Sequence, residues 1–244
     1  MSLSVPTAVL EAIRFEANYE TYDSMLMRLD PMRFRGLGPE NREKFIRHAV
    51  AVCDRWQLHF VNDVAYVMFV MTFLGSYFHE DMRYKGLAAE LAPTSDGADT
   101  RIERLRSRFI TIGQRFIGYD MAIYRRDLGH FRDNVLPAAK DFDAARMLAA
   151  LTASHGGRSY APTPDHQALY LRQAQVAAEG LGFEGPDDLK LCTALGYWLG
   201  GGFWKDPLYP WVSEMASSDG APGVMNYALR RLDRQLKPRE DRNG

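Results

Sequence analysis

The sequence predicts an all-α protein, on three observations. Apolar residues recur at three- and four-residue spacing through most of the chain, no stretch sustains the period-two alternation of a half-buried strand, and Gly, Pro and Asp cluster between the periodic stretches. Composition agrees: 46% of the 244 residues are apolar, 25% are charged and the formal net charge is −1, an ordinary globular balance that excludes disorder over most of the chain.

The first helix is expected over 7–28, where Leu10, Ile13, Phe15, Tyr19, Tyr22, Leu26 and Leu29 mark one face. Asp30-Pro31 breaks it, and Arg35-Gly-Leu-Gly-Pro39 is expected to be a loop whose proline opens the next helix. That second helix spans 40–55 with Phe45, Ile46, Ala49 and Val52 inward; a third covers 62–77. The run Val64 to Phe78 is the most apolar, and its 15 residues fit a buried core helix rather than a bilayer span of about 20. After a loop at 92–98, residues 101–126 predict a long amphipathic helix carrying Ile102, Leu105, Phe109, Ile112, Phe116 and Tyr119. Residues 138–153 predict another helix, and 154–164 a linker. Helices follow over 165–180, 187–199 and 224–236. The chain thus divides into an N-terminal part, 1–153, and a C-terminal part, 165–244, packed as one unit.

Residues 41–84 lie over 166–209 without a gap, at an offset of 125. Eight positions are identical: Arg47/Arg172, Ala49/Ala174, Asp63/Asp188, Leu74/Leu199, Gly75/Gly200, Phe78/Phe203, Asp81/Asp206 and Tyr84/Tyr209. Five of these form the pattern L-G-x-x-F-x-x-D-x-x-Y. Two copies are too few for a solenoid and point to a pseudo-twofold helical domain. The pattern is scaffold by chemistry. Gly75 and Gly200 suit a close helix crossing or a helix C-terminus. Phe78 and Phe203 suit anchors under the turn. Asp81 and Asp206 can accept backbone N–H bonds or meet an arginine. Tyr84 and Tyr209 offer an apolar body with one hydroxyl, and Asp63 and Asp188 open helices where the dipole favours a carboxylate.

Catalytic signatures are scarce. The chain has no P-loop, dinucleotide fingerprint, nucleophile elbow or H-E-x-x-H. Cys53 and Cys192 give no disulfide framework and fit core positions in a reducing cytoplasm. No enzyme activity and no cofactor are expected. The alternative is a metal- or small-ligand-binding enzyme built on His59, Asp63, His79 and Asp81. An RNA reading of Arg104, Arg106, Arg108 and Arg115 beside Phe109 and Phe116 conflicts with the near-neutral charge, so neither nucleic acid nor membrane is an expected partner. The opening residues carry no secretory pattern, and a cytoplasmic location is expected. The second turn is the richest surface candidate: Phe203, Trp204, Tyr209 and Trp211 are of the types enriched at protein interfaces.

From Trp56 to Tyr84, and more clearly from Leu181 to Trp211, the chain resembles small helical proteins encoded in bacterial type VI secretion clusters, beside spike proteins, adaptors and toxic effectors. The resemblance lies in an Asp-opened apolar helix that ends in G-x-x-F-x-x-D-P-x-x-P-W. Here it stands as Gly200-Gly-Gly-Phe203-Trp-Lys-Asp206-Pro207-Leu-Tyr-Pro210-Trp211, with a degenerate copy at Gly75–Tyr84 that lacks the D-P and P-W elements. It implies a non-enzymatic protein that binds a toxin or its carrier, as chaperone or adaptor, or as immunity protein.

Overall fold

A computed structural model describes residues 7–116, 122–136, 146 and 164–237. These residues are helical with no strand among them. The order is α1 (Thr7–Leu29), α2 (Pro31–Leu37), α3 (Pro39–Arg55), α4 (Val61–Leu74), a 3-10 turn (Met82–Tyr84), α5 (Lys85–Ala89), α6 (Ala98–Phe116), α7 (Ala122–His130) running into a π turn (Phe131–Val135), α8 (Pro164–Gly180), α9 (Pro186–Leu199), a second 3-10 turn (Phe203–Lys205) and α10 (Trp211–Leu236). No helix among the described residues is long and apolar enough to cross a membrane. Apart from residue 146, the helix expected over 138–153, together with the linker before Pro164 and residues 117–121 of the expected 101–126 helix, lies outside the described residues.

Two expectations need correction. The 35–39 loop is mostly helix: Asp30 Oδ1 accepts the Arg33 amide at 3.1 Å and Pro31 sits at the first helical position, so α2 runs to Leu37 and only Gly38 turns. A helical stretch that the sequence reading did not expect begins at Trp211, and the chain kinks at Gly220, where φ +63° and ψ −159° are not helical, before the stretch that carries the expected 224–236 helix. The part before the kink looks like a loop in sequence because it is serine-rich. Those hydroxyls bond back along the helix, Ser213 to the Pro210 carbonyl at 3.1 Å and Ser217 to the Ser213 carbonyl at 2.8 Å.

The helices enclose two cores. The first gathers Tyr22, Leu26, Phe34, Phe45, Ile46, Met68, Met71 and Phe78 from α1 to α4 and the turn beyond. The second gathers Leu128, Phe131, Leu191, Leu195, Phe203, Trp211, Val212 and Leu232 from α7 to α10. Leu208, although it belongs to the second turn, is buried in the first core.

Residues 125 apart take matching places in the two helix pairs. Trp56 and Leu58 donate to the Val52 and Cys53 carbonyls, and Leu181 and Phe183 donate to the Ala177 and Ala178 carbonyls. The Phe60 carbonyl accepts from Asp63 and Val64 as Gly185 accepts from Asp188 and Leu189. Between these bonds the chain reverses with a positive φ, +71° at Gly182 but +54° at Gln57. A side chain there is strained, so Gln57→Gly is expected to stabilise the protein by about 0.5–1 kcal/mol, the strain relieved less the entropy gained by the unfolded chain. Its denaturation midpoint should rise; an unchanged or lower midpoint would show that the Gln57 side chain offsets its own backbone strain.

Candidate functional site

Side chains and backbone of both halves bond to one another at the seam where the two helix pairs meet. Both buried helices, α4 and α9, end in a glycine with positive φ, +91° at Gly75 and +109° at Gly200. The glycines cross in contact: a Cβ on Gly75 would stand 2.7 Å from the Leu199 carbonyl oxygen, and one on Gly200 3.0 Å from that of Leu74. Only glycine permits so close an approach of two helix ends.

Across this crossing the turns exchange hydrogen bonds. Asp206 Oδ2 accepts the Ser76 amide at 2.7 Å, and Asp81 Oδ2 accepts the Gly201 amide at 3.0 Å. Each carboxylate also holds its own turn, Oδ1 of Asp81 accepting the Arg83 amide and Oδ1 of Asp206 the Leu208 amide, both at 2.9 Å. Ser76 and Gly201 are themselves 125 apart, as are the next pair: His48 Nε2 lies 3.0 Å from the Ser76 carbonyl, while Gln173 Nε2 donates to that of Glu80 at 2.9 Å. Lys205 bonds Glu80 at 3.1 Å, joining two equivalent positions directly.

The two sides differ in charge. Arg83 pairs with Asp81 through Nη2–Oδ2 at 2.7 Å and Nε–Oδ1 at 3.0 Å, then donates to the Tyr197 and Gly196 carbonyls at the end of α9. Tyr84 and Tyr197 stand 5.1 Å from its guanidinium carbon, and burial pushes both phenols up, so they stay neutral. On the other side the matching place is taken by Leu208.

Other positions matched at the 125 offset are used in part alike. Phe78 and Phe203 anchor the two cores at 0% and 1% exposure. Asp188 Oδ2 accepts the Gly185 amide at 2.9 Å, capping α9. Asp63 occupies the same place in α4, but its Oδ2 is buried without a hydrogen bond, and burial raises its pKa.

The interface candidates divide. Phe203 and Trp211 are corrected: at 1% and 4% exposure they belong to the second core, Trp211 stacked on Tyr227 at 5.0 Å, and offer no contact surface. An aromatic-rich turn has the same composition whether it anchors a core or faces a partner. Trp204 is half-buried, its ring lying where a side chain on Gly180 would be. Tyr209 is half-buried and packs against both cores. Lys205 Nζ joins Trp204 to Tyr77, 5.9 Å from the first ring centroid and 4.2 Å from the second, and the His48 ring lies 4.3 Å from Tyr77. These neighbours, like Arg83, carried no sequence signal because they are not identical between the copies.

The metal candidates are not brought together, and among the described residues no three His, Cys, Asp or Glu side chains are grouped to hold an ion. His59 faces Asp54 at 3.2 Å, Asp63 lies near Arg101, His79 packs edge-on to Trp56 at 5.4 Å, and Asp81 is held by Arg83. Cys53 and Cys192 are buried free thiols, and burial pushes Cys192 up to about 12. Arg104, Arg106 and Arg108 form ion pairs with Glu90, Asp96 and Glu103 rather than an open basic stripe.

Two seam groups titrate against each other. Burial lowers His79 from 6.5 to about 4, with His48 shifted the same way, whereas burial raises Asp206 from 3.8 to about 6. Between pH 4 and 6.5 the unfolded chain binds the extra proton at the histidines, so their contribution to stability grows as pH rises. Between 3.8 and 6 the folded chain binds the extra proton at Asp206, so its contribution falls as pH rises. Urea midpoints measured from pH 4 to 7 should therefore climb more steeply in Asp206→Asn than in the unmodified protein, and less steeply in His79→Gln. Parallel profiles would refute the assignment.

Compared with known protein families, with characterised proteins and with solved structures, the chain matches none.

Proposed function

We propose that the protein is a non-enzymatic binding protein of a type VI secretion effector cluster that acts in the cytoplasm, holding a toxin or the toxin's carrier as chaperone, adaptor or immunity protein. The observation that carries this reading is what the resembling motif does. Gly200, Phe203, Asp206 and Trp211 are all spent on the seam and its core, and Gly75, Phe78 and Asp81 mirror them. A motif used wholly to fix a joint suits a protein that works by presenting a shaped surface. Trp204, Tyr77 and Lys205 stand together at the edge of this joint. The matching bonds on the two sides also support descent of the two helix pairs from one duplicated unit.

The test is coexpression of the tagged chain with the products of its neighbouring genes, read by pull-down and growth. Capture of a toxin with rescue of growth supports the immunity role. Capture without rescue, together with a spike protein, supports the loading role. Capture of none of these products overturns the reading.

A further inference from the structure

A small pocket lies on one side of the seam only. Tyr170 and Gln173 from α8, Cys192 and Gly196 from α9, and Gly201 and Phe203 from the turn line it. Its volume is about 10 Å³, the room that one water molecule needs. Two of its lining residues carry a buried polar atom with no hydrogen-bond partner among the described residues, the Tyr170 hydroxyl and Gln173 Oε1. Both face the pocket's glycines: a Cβ on Gly196 would stand 3.9 Å from the hydroxyl, and one on Gly201 3.0 Å from Oε1. The other end of the Gln173 amide fixes its orientation, since Nε2 donates to the Glu80 carbonyl at 2.9 Å. Burial keeps the Tyr170 phenol protonated, and so a donor.

The matching place in the first half is filled and apolar. At the 125 offset Phe45 stands for Tyr170 and Met71 for Gly196, and both are fully buried in the first core. The half without the methionine side chain is thus the half with the hydroxyl. Sterics do not call for glycine at 196. It lies inside α9 without a positive φ, and an added Cβ would meet nothing closer than the Phe203 ring at 3.7 Å, an ordinary contact. Glycine is a poorer helix residue than alanine, so what it supplies here is space. Space beside a buried donor and a buried acceptor, each costly to leave unmet, suits a molecule that serves both.

We propose that this pocket is a binding site for a single water molecule, which accepts from the Tyr170 hydroxyl and donates to Gln173 Oε1. A cation there would be opposed by the Arg83 guanidinium, 5.8 Å from the Tyr170 ring, and an anion such as chloride cannot donate to Oε1. The neutral Cys192 thiol supplies a weaker third partner. The bound water braces the Gln173 amide that ties α8 to the first turn. The site stands independently of the effector-cluster reading.

The experiment counts long-lived waters on the full chain by deuterium and oxygen-17 relaxation dispersion of the solvent, and records melting temperatures beside it. Gly196→Ala puts a methyl group into the pocket. It should hold one long-lived water fewer than the unmodified protein and melt no higher, although alanine is the better helix residue. Gly36→Ala, at a helix glycine in open space, should keep the count. Tyr170→Phe added to Gly196→Ala should melt about 2–6 °C above Gly196→Ala, because the stranded hydroxyl is gone. A dry pocket gives the reverse, equal water counts and a Gly196→Ala protein that melts several degrees higher, and either result overturns the proposal. A crystal structure of the unmodified protein tests the site without any variant. Density for one water within about 3.2 Å of both Tyr170 Oη and Gln173 Oε1 supports it. A direct bond between those two groups, or no density between them, overturns it.

Discussion

Replacing Gly75 by alanine should destabilise the protein by about 3–5 kcal/mol, the sum of a backbone conformation that only glycine adopts cheaply and a clash that the surroundings cannot relieve. The first term comes from φ +91° with ψ 149°, and the second from a Cβ placed 2.7 Å from the Leu199 carbonyl oxygen. That oxygen is backbone at the end of a buried helix, so moving it drags α9 and the Gly200 turn with it. Gly200→Ala should cost slightly less, since its contact with the Leu74 carbonyl is 3.0 Å. Thermal unfolding would show the loss as a drop on the order of 10 °C. Gly36→Ala is the control. That glycine lies inside α2 with nothing within 4 Å of an added Cβ, so alanine should be neutral or gain up to about 1 kcal/mol of helix propensity. The double variant Gly75→Ala/Gly200→Ala should cost less than the sum, because one separation of the crossing helices relieves both clashes. Full additivity, or a Gly75→Ala protein as stable as the parent, would mean that the helix ends do not meet as closely as described.

Why these glycines were legible in the sequence, when Arg83 was not, follows from what a repeat preserves. Leu74, Gly75, Phe78, Asp81 and their partners are identical at the 125 offset because each does the same work on both sides of the crossing. The arginines break the correspondence: one comes from the turn itself, at 83, and the other from α2, at 33, outside the repeated span. Linear spacing carries no record that α2 brings Arg33 to the end of α4. Helix periodicity likewise located α3, α4, α8 and α9, whose buried faces are continuous. It missed the stretch of α10 before the Gly220 kink, where serines satisfied by their own helix resemble a loop. Composition misled in its turn by offering Phe203 and Trp211 as surface candidates, since burial is decided by what packs on them.

Asp81→Asn should be the most costly single change in the polar seam, about 3–5 kcal/mol, because it leaves the Arg83 guanidinium part-buried without its charge partner. The amide oxygen can still accept the Gly201 amide, but the new NH2 group faces the arginine's own donors. Asp206→Asn makes the same chemical change at the matching position with a different result. Leu208 stands where Arg83 would be and is buried in the first core, so no guanidinium there is released from a clamp. The loss is then the weakened bonds from the Ser76 and Leu208 amides and the attraction to Arg33, which is not bonded to the carboxylate, about 1–2 kcal/mol in all. Arg83→Met in the Asp81→Asn background should recover much of the first loss, although Arg83→Met alone leaves the Asp81 carboxylate buried against Gly201 with its partner gone. Guanidinium chloride unfolding of the four variants measures all of this in one cycle. If Asp206→Asn proved as costly as Asp81→Asn, the carboxylate-to-amide exchange would be what holds the halves together. If it is several-fold cheaper, the ion pair between Asp81 and Arg83 carries the joint.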